Sequence, residues 1–475
     1  MKFLAFAAVA GAFVIPDASV VSQLVLTDNK AAAKAVNTVD AVKTSVANAV
    51  DAAHSWVSGA FDTDNELNTL ADDMDFDALS KDLPIFDPIL IGGKAKVSNL
   101  TLYQLIASSN YTTQFTALVD EFPAIVALLN TTSAEDAAAV NHTVFVPVDT
   151  AFAALPGWNT TTDAAVRESI VRYHIGLGDF PYKVLFATHT VPSLYHEPLL
   201  GGAAQRLRVR FEKKLGVRVN FAARVVAANV LASNGVVHAV DTVVVPPTFV
   251  GRQLSLVPDH YSTLLLAMNV SGFTAYMHGL TGLNGSTVLA PSNKAFTLLG
   301  PEVNAFLFNS ARGLKYLHAL LRYATVPNAT VYSDAFYGPA ALAPLPTPPF
   351  AGGGGAPGFV ERLHYQLPTL LGDATVSVNV TSVPGYSVML VNNKVRVAVQ
   401  DGVAKNGVIQ EVDRVVFPPP PATVPGSPWV DPPVKTVADL VARLGPYVED
   451  DGDDDEVAVA GAVASAVAPA SANEL

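Results

Sequence analysis

The chain has 475 residues, 50% of them hydrophobic and only 15% charged, so it is no disordered polypeptide, and at about 150 residues per domain it has room for about three domains, or two with tails. Its 42 acids and 29 bases leave a net charge of −13, which argues against nucleic acid as the main partner, because that partner needs a basic face. No cysteine is present, which excludes disulfides, a thiolate nucleophile and Cys-ligated zinc or iron–sulfur centres.

The chain opens on MKFLAFAAVAGAFVI (1–15), one lysine followed by an apolar run from Phe3 to Ile15. That run is too short for a bilayer of about 30 Å, and small residues follow it. The pattern predicts a secretory signal peptide over 1–18, cut after Ala18 or nearer Ala10, in preference to a buried N-terminal helix. No later stretch is apolar enough for a transmembrane helix. Residues 19–96 form an Ala/Val-rich and then acidic segment. Ala35, Val39, Val42, Val46 and Val50 fall at helical spacing, which fits an amphipathic helix or a processed pro-segment. Asp62, Asp64 and Glu66 alternate like the start of a calcium loop, but Leu67 stands where that loop needs glycine. No metal site is expected.

From residue 97 the sequence repeats itself. TVFVPVDTAF (143–152) matches TVLAPSNKAF (287–296), VRYH (171–174) matches LRYA (321–324), and NGVVHAVDTVVVPP (234–247) matches NGVIQEVDRVVFPP (406–419). The first pair lies 144 residues apart and the last 172. The second copy is therefore longer, chiefly through the Pro/Gly-rich stretch 337–358, which reads as a loop. The first block predicts a short apolar strand stopped by proline, with Asp149 and Ser292 at turn or helix-cap positions. The last block predicts an Asn-Gly hairpin turn and a β-branched strand through 236–245 or 408–417, closed by Pro-Pro. Helical patterns precede the strands at 101–108 and 115–129, and at 261–268 and 273–280. The unit is α+β and spans about 150 residues.

These blocks resemble the fasciclin-type domain of tandem secreted and cell-surface adhesion proteins. The resemblance covers 97–250 and 251–420 and implies two domains, each a β-sheet wedge with several helices packed on it. Its central Tyr-His pair is met by Tyr173 and His174; the second copy keeps Tyr323 but has Ala324. The histidine of the last block is His238 in the first copy and Gln410 in the second. The family links the Tyr-His region to partner binding, so Tyr173 and His174 are the candidate contact residues. Set against that, a buried tyrosine and histidine usually serve hydrogen bonds of the core. Asp149, His238, Asp241, Tyr323 and Asp413 read as structural. Asp241 and Asp413 share a strand position, which suggests a fixed hydrogen bond.

No nucleophile elbow, zinc-protease helix or phosphate loop is present. No catalytic residue, cofactor or enzymatic activity is expected. Nine N-x-[ST] sequons, at Asn99, Asn110, Asn130, Asn141, Asn159, Asn269, Asn284, Asn328 and Asn379, predict an N-glycoprotein. Residues 421–475 form a linker, an acidic run and a tail. The run from Glu449 to Glu456 reads as solvated. Ala472-Asn473-Glu474-Leu475 fits a relaxed endoplasmic-reticulum retrieval address, and a lipid-anchor signal near Gly461 or Ser465 fits less well. The expectation is a non-enzymatic protein of the secretory pathway, extracellular or at the cell surface. It would mediate adhesion or matrix and cell-wall contact with surface or matrix proteins and glycans. The alternative is a folding or glycan-processing accessory resident in the endoplasmic reticulum lumen.

Overall fold

The computed structural model describes residues 98–132, 141–153, 163–212, 216–274, 283–338, 361–383, 386–420 and 433–448. The signal pattern, the 19–96 segment, Asn159, most of the 273–280 helical pattern, residues 339–358 of the insert, the acidic run and the C-terminal tetrapeptide lie outside them.

The first unit starts with α1 (Leu102–Ala107), α2 (Thr113–Asp120) and α3 (Pro123–Asn130). Thr101 and Gln104 close a capping box on α1, which satisfies two of the free N–H groups at its start. The apolar pattern through 115–129 is not one helix. Pro123 lacks an N–H and forces a restart, so the chain breaks at Phe122. Then follow β1 (His142–Pro147), α4 (Asp149–Ala153), α5 (Ala164–Tyr173), β2 (Ile175–Leu177), α6 (Tyr182–Ala187), β3 (Thr190–His196), β4 (Ala204–Glu212), β5 (Gly216–Val219), β6 (Ala223–Ala232) and β7 (Gly235–Val240). The seven strands close in chain order into a barrel, sealed by a parallel β1–β7 pair.

Strand β1 is buried along its whole length. Its side chains alternate between two cores, as the strand period of two requires. Val144 and Val146 pack among Leu102, Phe115 and Ile125 of the helices. Phe145 enters the barrel with Tyr173, Val209 and Val219. This is why TVFVP reads as an unbroken apolar run.

The second unit repeats the plan: α7 (Val250–Ser255), α8 (Pro258–Val270), β8 (Ser286–Pro291), α9 (Asn293–Thr297), α10 (Pro301–Asn309), α11 (Ala311–Tyr323), β9 (Thr325–Pro327), the small hairpin β10 (Thr330–Val331) and β11 (Phe336–Tyr337), then β12 (Glu361–Thr369), β13 (Gly372–Val383), β14 (Tyr386–Val391), β15 (Val395–Ala404) and β16 (Gly407–Val412). Its sheet runs β12-β13-β14-β15-β16-β8-β9, with β16 and β8 parallel. The fold is thus α+β in two like units. Past the sheet, α12 (Val437–Leu444) folds back against α10 and α11. Val434, Leu440 and Leu444 join the second core, and Arg443 donates to the Pro418 carbonyl at 2.6 Å.

Two local expectations change. The hairpin turns are Ser233-Asn234 and Lys405-Asn406, and the glycine is the first strand residue. Gly235 and Gly407 have φ of 152° and 155°, and a Cβ there would stand 2.0 Å and 2.1 Å from the carbonyl oxygens of His142 and Ser286. The glycine answers the close approach of β1 and β8 rather than the turn. The last strand also ends earlier than its β-branched run, at Val240 and Val412. Asp241 and Asp413 lie just beyond it and bind the partner strand.

Candidate functional site

Tyr173 and His174 end α5 and are both fully buried. The Tyr173 hydroxyl donates to the Arg206 carbonyl at 2.9 Å and accepts from the Asn220 amide at 2.7 Å. Burial pushes its ionisation well above the ordinary range. His174 Nδ1 lies 2.8 Å from the Ile170 carbonyl, which can only accept, so that nitrogen carries the proton. Its Nε2 accepts from Val244 N–H at 3.0 Å. Its ring faces Phe115 of the helical layer at 5.4 Å.

His238, in the middle of β7, has the opposite tautomer. Nε2 donates to the Phe180 carbonyl at 2.9 Å, and Nδ1 accepts from Asn229 N–H at 3.4 Å. Its ring stacks on Phe145 at 5.7 Å. Both imidazoles are satisfied only when neutral. Burial, with no cation stabilised beside them, pushes each down to about 4. The three side chains serve three separate partner sets and do not form a common centre.

The second unit solves the same problems with other residues. The Tyr323 hydroxyl donates to the Thr375 carbonyl at 3.2 Å and accepts from Asn392 at 2.8 Å, as Tyr173 does with Asn220. Gln410 Nε2 donates to the Val331 carbonyl at 2.8 Å, and its Oε1 accepts from Asp401 N–H at 3.0 Å. Gln410 therefore reproduces both bonds of His238 without an ionisable ring. Asn229 and Asp401, with φ of 62° and 64°, are matching bulge residues.

Asp149 accepts from Gln114 N–H at 2.9 Å and from the Thr113 hydroxyl at 2.9 Å, and so caps α2 from a distance. Its counterpart in the second unit is Asn293, which accepts from Thr263 N–H at 2.9 Å. Ser292 caps its own helix through Ala295 N–H. Asp241 accepts from Arg224 N–H at 2.8 Å and pairs with the Arg224 guanidinium at 3.4 Å. Asp413 accepts from Arg396 N–H at 3.2 Å. Among the sequons, Asn99, Asn110, Asn141, Asn269 and Asn284 are exposed, and Asn130, Asn328 and Asn379 are half-buried.

Asn220, Asn392, Asn229 and Asp401 were not singled out by sequence. Each has a left-handed backbone, and asparagine or aspartate near the end of an apolar strand is the available signal. Among the described residues no three His, Asp or Glu side chains gather as a metal ligand set, and no helix is long and apolar enough to cross a membrane.

The model of the fasciclin domain matches the chain twice, over residues 110–246 and 259–418. The chain is 26% identical over 375 residues to the aurofusarin biosynthesis cluster protein S of Gibberella zeae, covering 74% of this chain and 88% of that protein. It is also 26% identical over 282 residues to the pig (Sus scrofa) transforming growth factor-beta-induced protein ig-h3, covering 58% of this chain and 35% of that protein. A solved FAS1 domain pair from the insect cell adhesion molecule fasciclin I aligns at 20% identity and a TM-score of 0.31, over 64% of this chain and 96% of that chain.

Proposed function

The chain belongs to the fasciclin domain family, and on that premise we propose that it is a non-enzymatic protein of the secretory pathway that mediates adhesion or contact with matrix or cell wall. Two complete repeats carry this reading. Their motif tyrosines and histidines are spent on internal hydrogen bonds, which leaves the outer faces of the units for partners. Of the Tyr-His pair, His174 acts on a partner indirectly, through the Val244 backbone after β7, while Tyr173 holds the β4 backbone that faces the second unit. The partners are cell-surface or matrix proteins and glycans. The signal pattern at 1–18 and the sequons support a secreted N-glycoprotein.

The test is a bead assay with the glycosylated chain purified from its native host. Beads coated with it are expected to bind host matrix or wall fractions, and to lose that binding in excess soluble chain. Beads that bind no more than albumin-coated controls would count against adhesion. Endoglycosidase treatment checks the secretory part: an unchanged mobility on a gel would remove it.

A further inference from the structure

The two units meet along the outer face of β4, and the charges on the two sides differ in kind. Asp334, between β10 and β11, accepts from His189 N–H at 3.1 Å, from Thr190 N–H at 2.6 Å and from the Thr190 hydroxyl. Arg206 Nη2 stands 3.9 Å from the same carboxylate. Arg206 also donates to the Tyr337 hydroxyl at 2.9 Å, and Arg208 donates to the Gln400 carbonyl at 2.8 Å. Behind Asp334, the Asp401 carboxylate accepts from Ser333 N–H and its hydroxyl. The Ser333 oxygen lies 2.8 Å from His189 Nδ1. Cations stand on the first unit and carboxylates on the second.

The repeat itself supplies the comparison. Tyr182 N–H donates to Asn229 at 2.7 Å, and Ser333 N–H donates to Asp401 at 2.7 Å. These bonds align Lys183 with Asp334 and Asn229 with Asp401. On the other side, Tyr173 and Tyr323 donate to the carbonyls of Arg206 and Thr375. Asn220 and Asn392 accept from the N–H groups of Arg208 and Ser377. Arg206, Arg208 and Arg210 therefore correspond to Thr375, Ser377 and Asn379. At the aligned positions the first unit has three arginines on the face, with lysine at 183 and asparagine at 229. The second has the acidic loop and no arginine on the face.

We infer that the seam is a one-way recognition surface: the arginine face of one repeat fits the acidic β10–β11 end of the other, and the pairing stops at two. Two surfaces that differ and do not close on themselves build open chains when each repeat carries both. Here each repeat carries one. A first unit offered to another chain's arginine face would lack the carboxylate that Asp334 supplies, since the aligned position 183 is lysine in sequence, and the wrong partner goes unrewarded. The second unit has Thr375, Ser377 and Asn379 at the positions where a further Asp334 would need arginine. The pair is thereby held as one body, and the start of the 337–358 insert is pinned to the first unit through Tyr337.

The test uses the full chain. Asp334→Asn and Arg206→Ala are each expected to lower the melting temperature by at least about 4 °C, and the double variant by less than the sum, because both changes break one network. Thr190→Val serves as the milder change should either variant fold poorly. Additive shifts, or a melt unchanged by Asp334→Asn, would overturn the clamp. The second arm is a gain of function. Thr375→Arg and Ser377→Arg combined with Lys183→Asp give the second unit a basic face and the first an acid at the position of Asp334, neither matched within the chain, and are expected to cause self-association at low salt that high salt reverses, read by light scattering. A triple variant that keeps the wild-type mass at low salt would overturn the one-way code.

Discussion

The histidine-to-glutamine exchange between the repeats defines an experiment. His238→Gln places in the first unit the side chain that the second already uses. Glutamine offers a donor to the Phe180 carbonyl and an acceptor to Asn229 N–H, the two bonds that Gln410 makes in its own unit. The expected stability at pH 7 is within about 1 kcal/mol of wild type, the scale of one hydrogen bond adjusted in place.

The difference emerges in acid. The unfolded chain protonates His238 below the reference value of about 6.5, while the buried ring resists protonation down to about 4. Its folded value is depressed below its unfolded one. The contribution is therefore fully present above about 6.5 and is lost as pH falls through that value toward 4. At pH 5 the unfolded state gains about 2 kcal/mol from this one group, from the ratio of proton-binding polynomials. His174, also near 4 and equally buried, adds about as much and is untouched by the variant. Urea unfolding of the full chain at pH 7 and pH 5, at fixed ionic strength, reads both states. Wild type is expected to lose about 2 kcal/mol more than His238→Gln between the two pH values. Equal losses would show that His238 charges freely in the folded chain, and would refute the neutral tautomer argued from its two bonds.

Two further predictions concern the backbone. Gly235→Ala drives a Cβ to within 2.0 Å of the His142 carbonyl oxygen and is expected to cost roughly 3 kcal/mol or more, measured by chemical unfolding; a loss under about 1 kcal/mol would mean that β1 and β7 can part there without penalty. Asp241→Ala removes an acceptor from Arg224 N–H, but the side chain is about a third exposed and water can replace it, so the expected cost is about 1 kcal/mol, with Asp413→Ala similar; a loss above about 3 kcal/mol in either would contradict that account.

The parts of the fold legible in sequence are those with a local cause. Proline after an apolar run ends β1 and β8, and the polar Thr101 with Gln104 starts α1. The repeat blocks also mark the strands β1, β7, β8 and β16, though not that β1–β7 and β8–β16 pair in parallel, which depends on the closure of the sheet. What stayed hidden depends on residues brought together from afar. Nothing in VAANV (226–230) or VAVQDGV (397–403) states that Asn229 and Asp401 occupy one bulge, since the two strands share too few letters to align. Arg206, Arg208 and Arg210 alternate as a solvent-facing strand edge would, and only the approach of the second unit covers the first two. Helix α12 was readable: Thr436 and Asp439 form a capping box, and Leu440 and Leu444 stand four apart before Gly445. The Pro-rich stretch ahead of it reads as a linker and masks that signal.

The placement of the motif residues bears on how the family fold works in this chain. Tyr173 with Tyr323, and His238 with Gln410, are fully buried, and Asn220 with Asn392 hold the tyrosine hydroxyls. They hold strands and loops at fixed spacing, and their chemistry is exhausted by that task. The residues that differ between the copies in charge stand on the outside, and at the seam their difference is used. Arg206 against Thr375, and Arg208 against Ser377, would be unremarked surface variation in two separate domains. In one chain they make the repeats complementary where identical repeats would be neutral or repulsive. The recurring interior supplies the scaffold, and divergence of the exterior supplies the specificity for the neighbouring repeat.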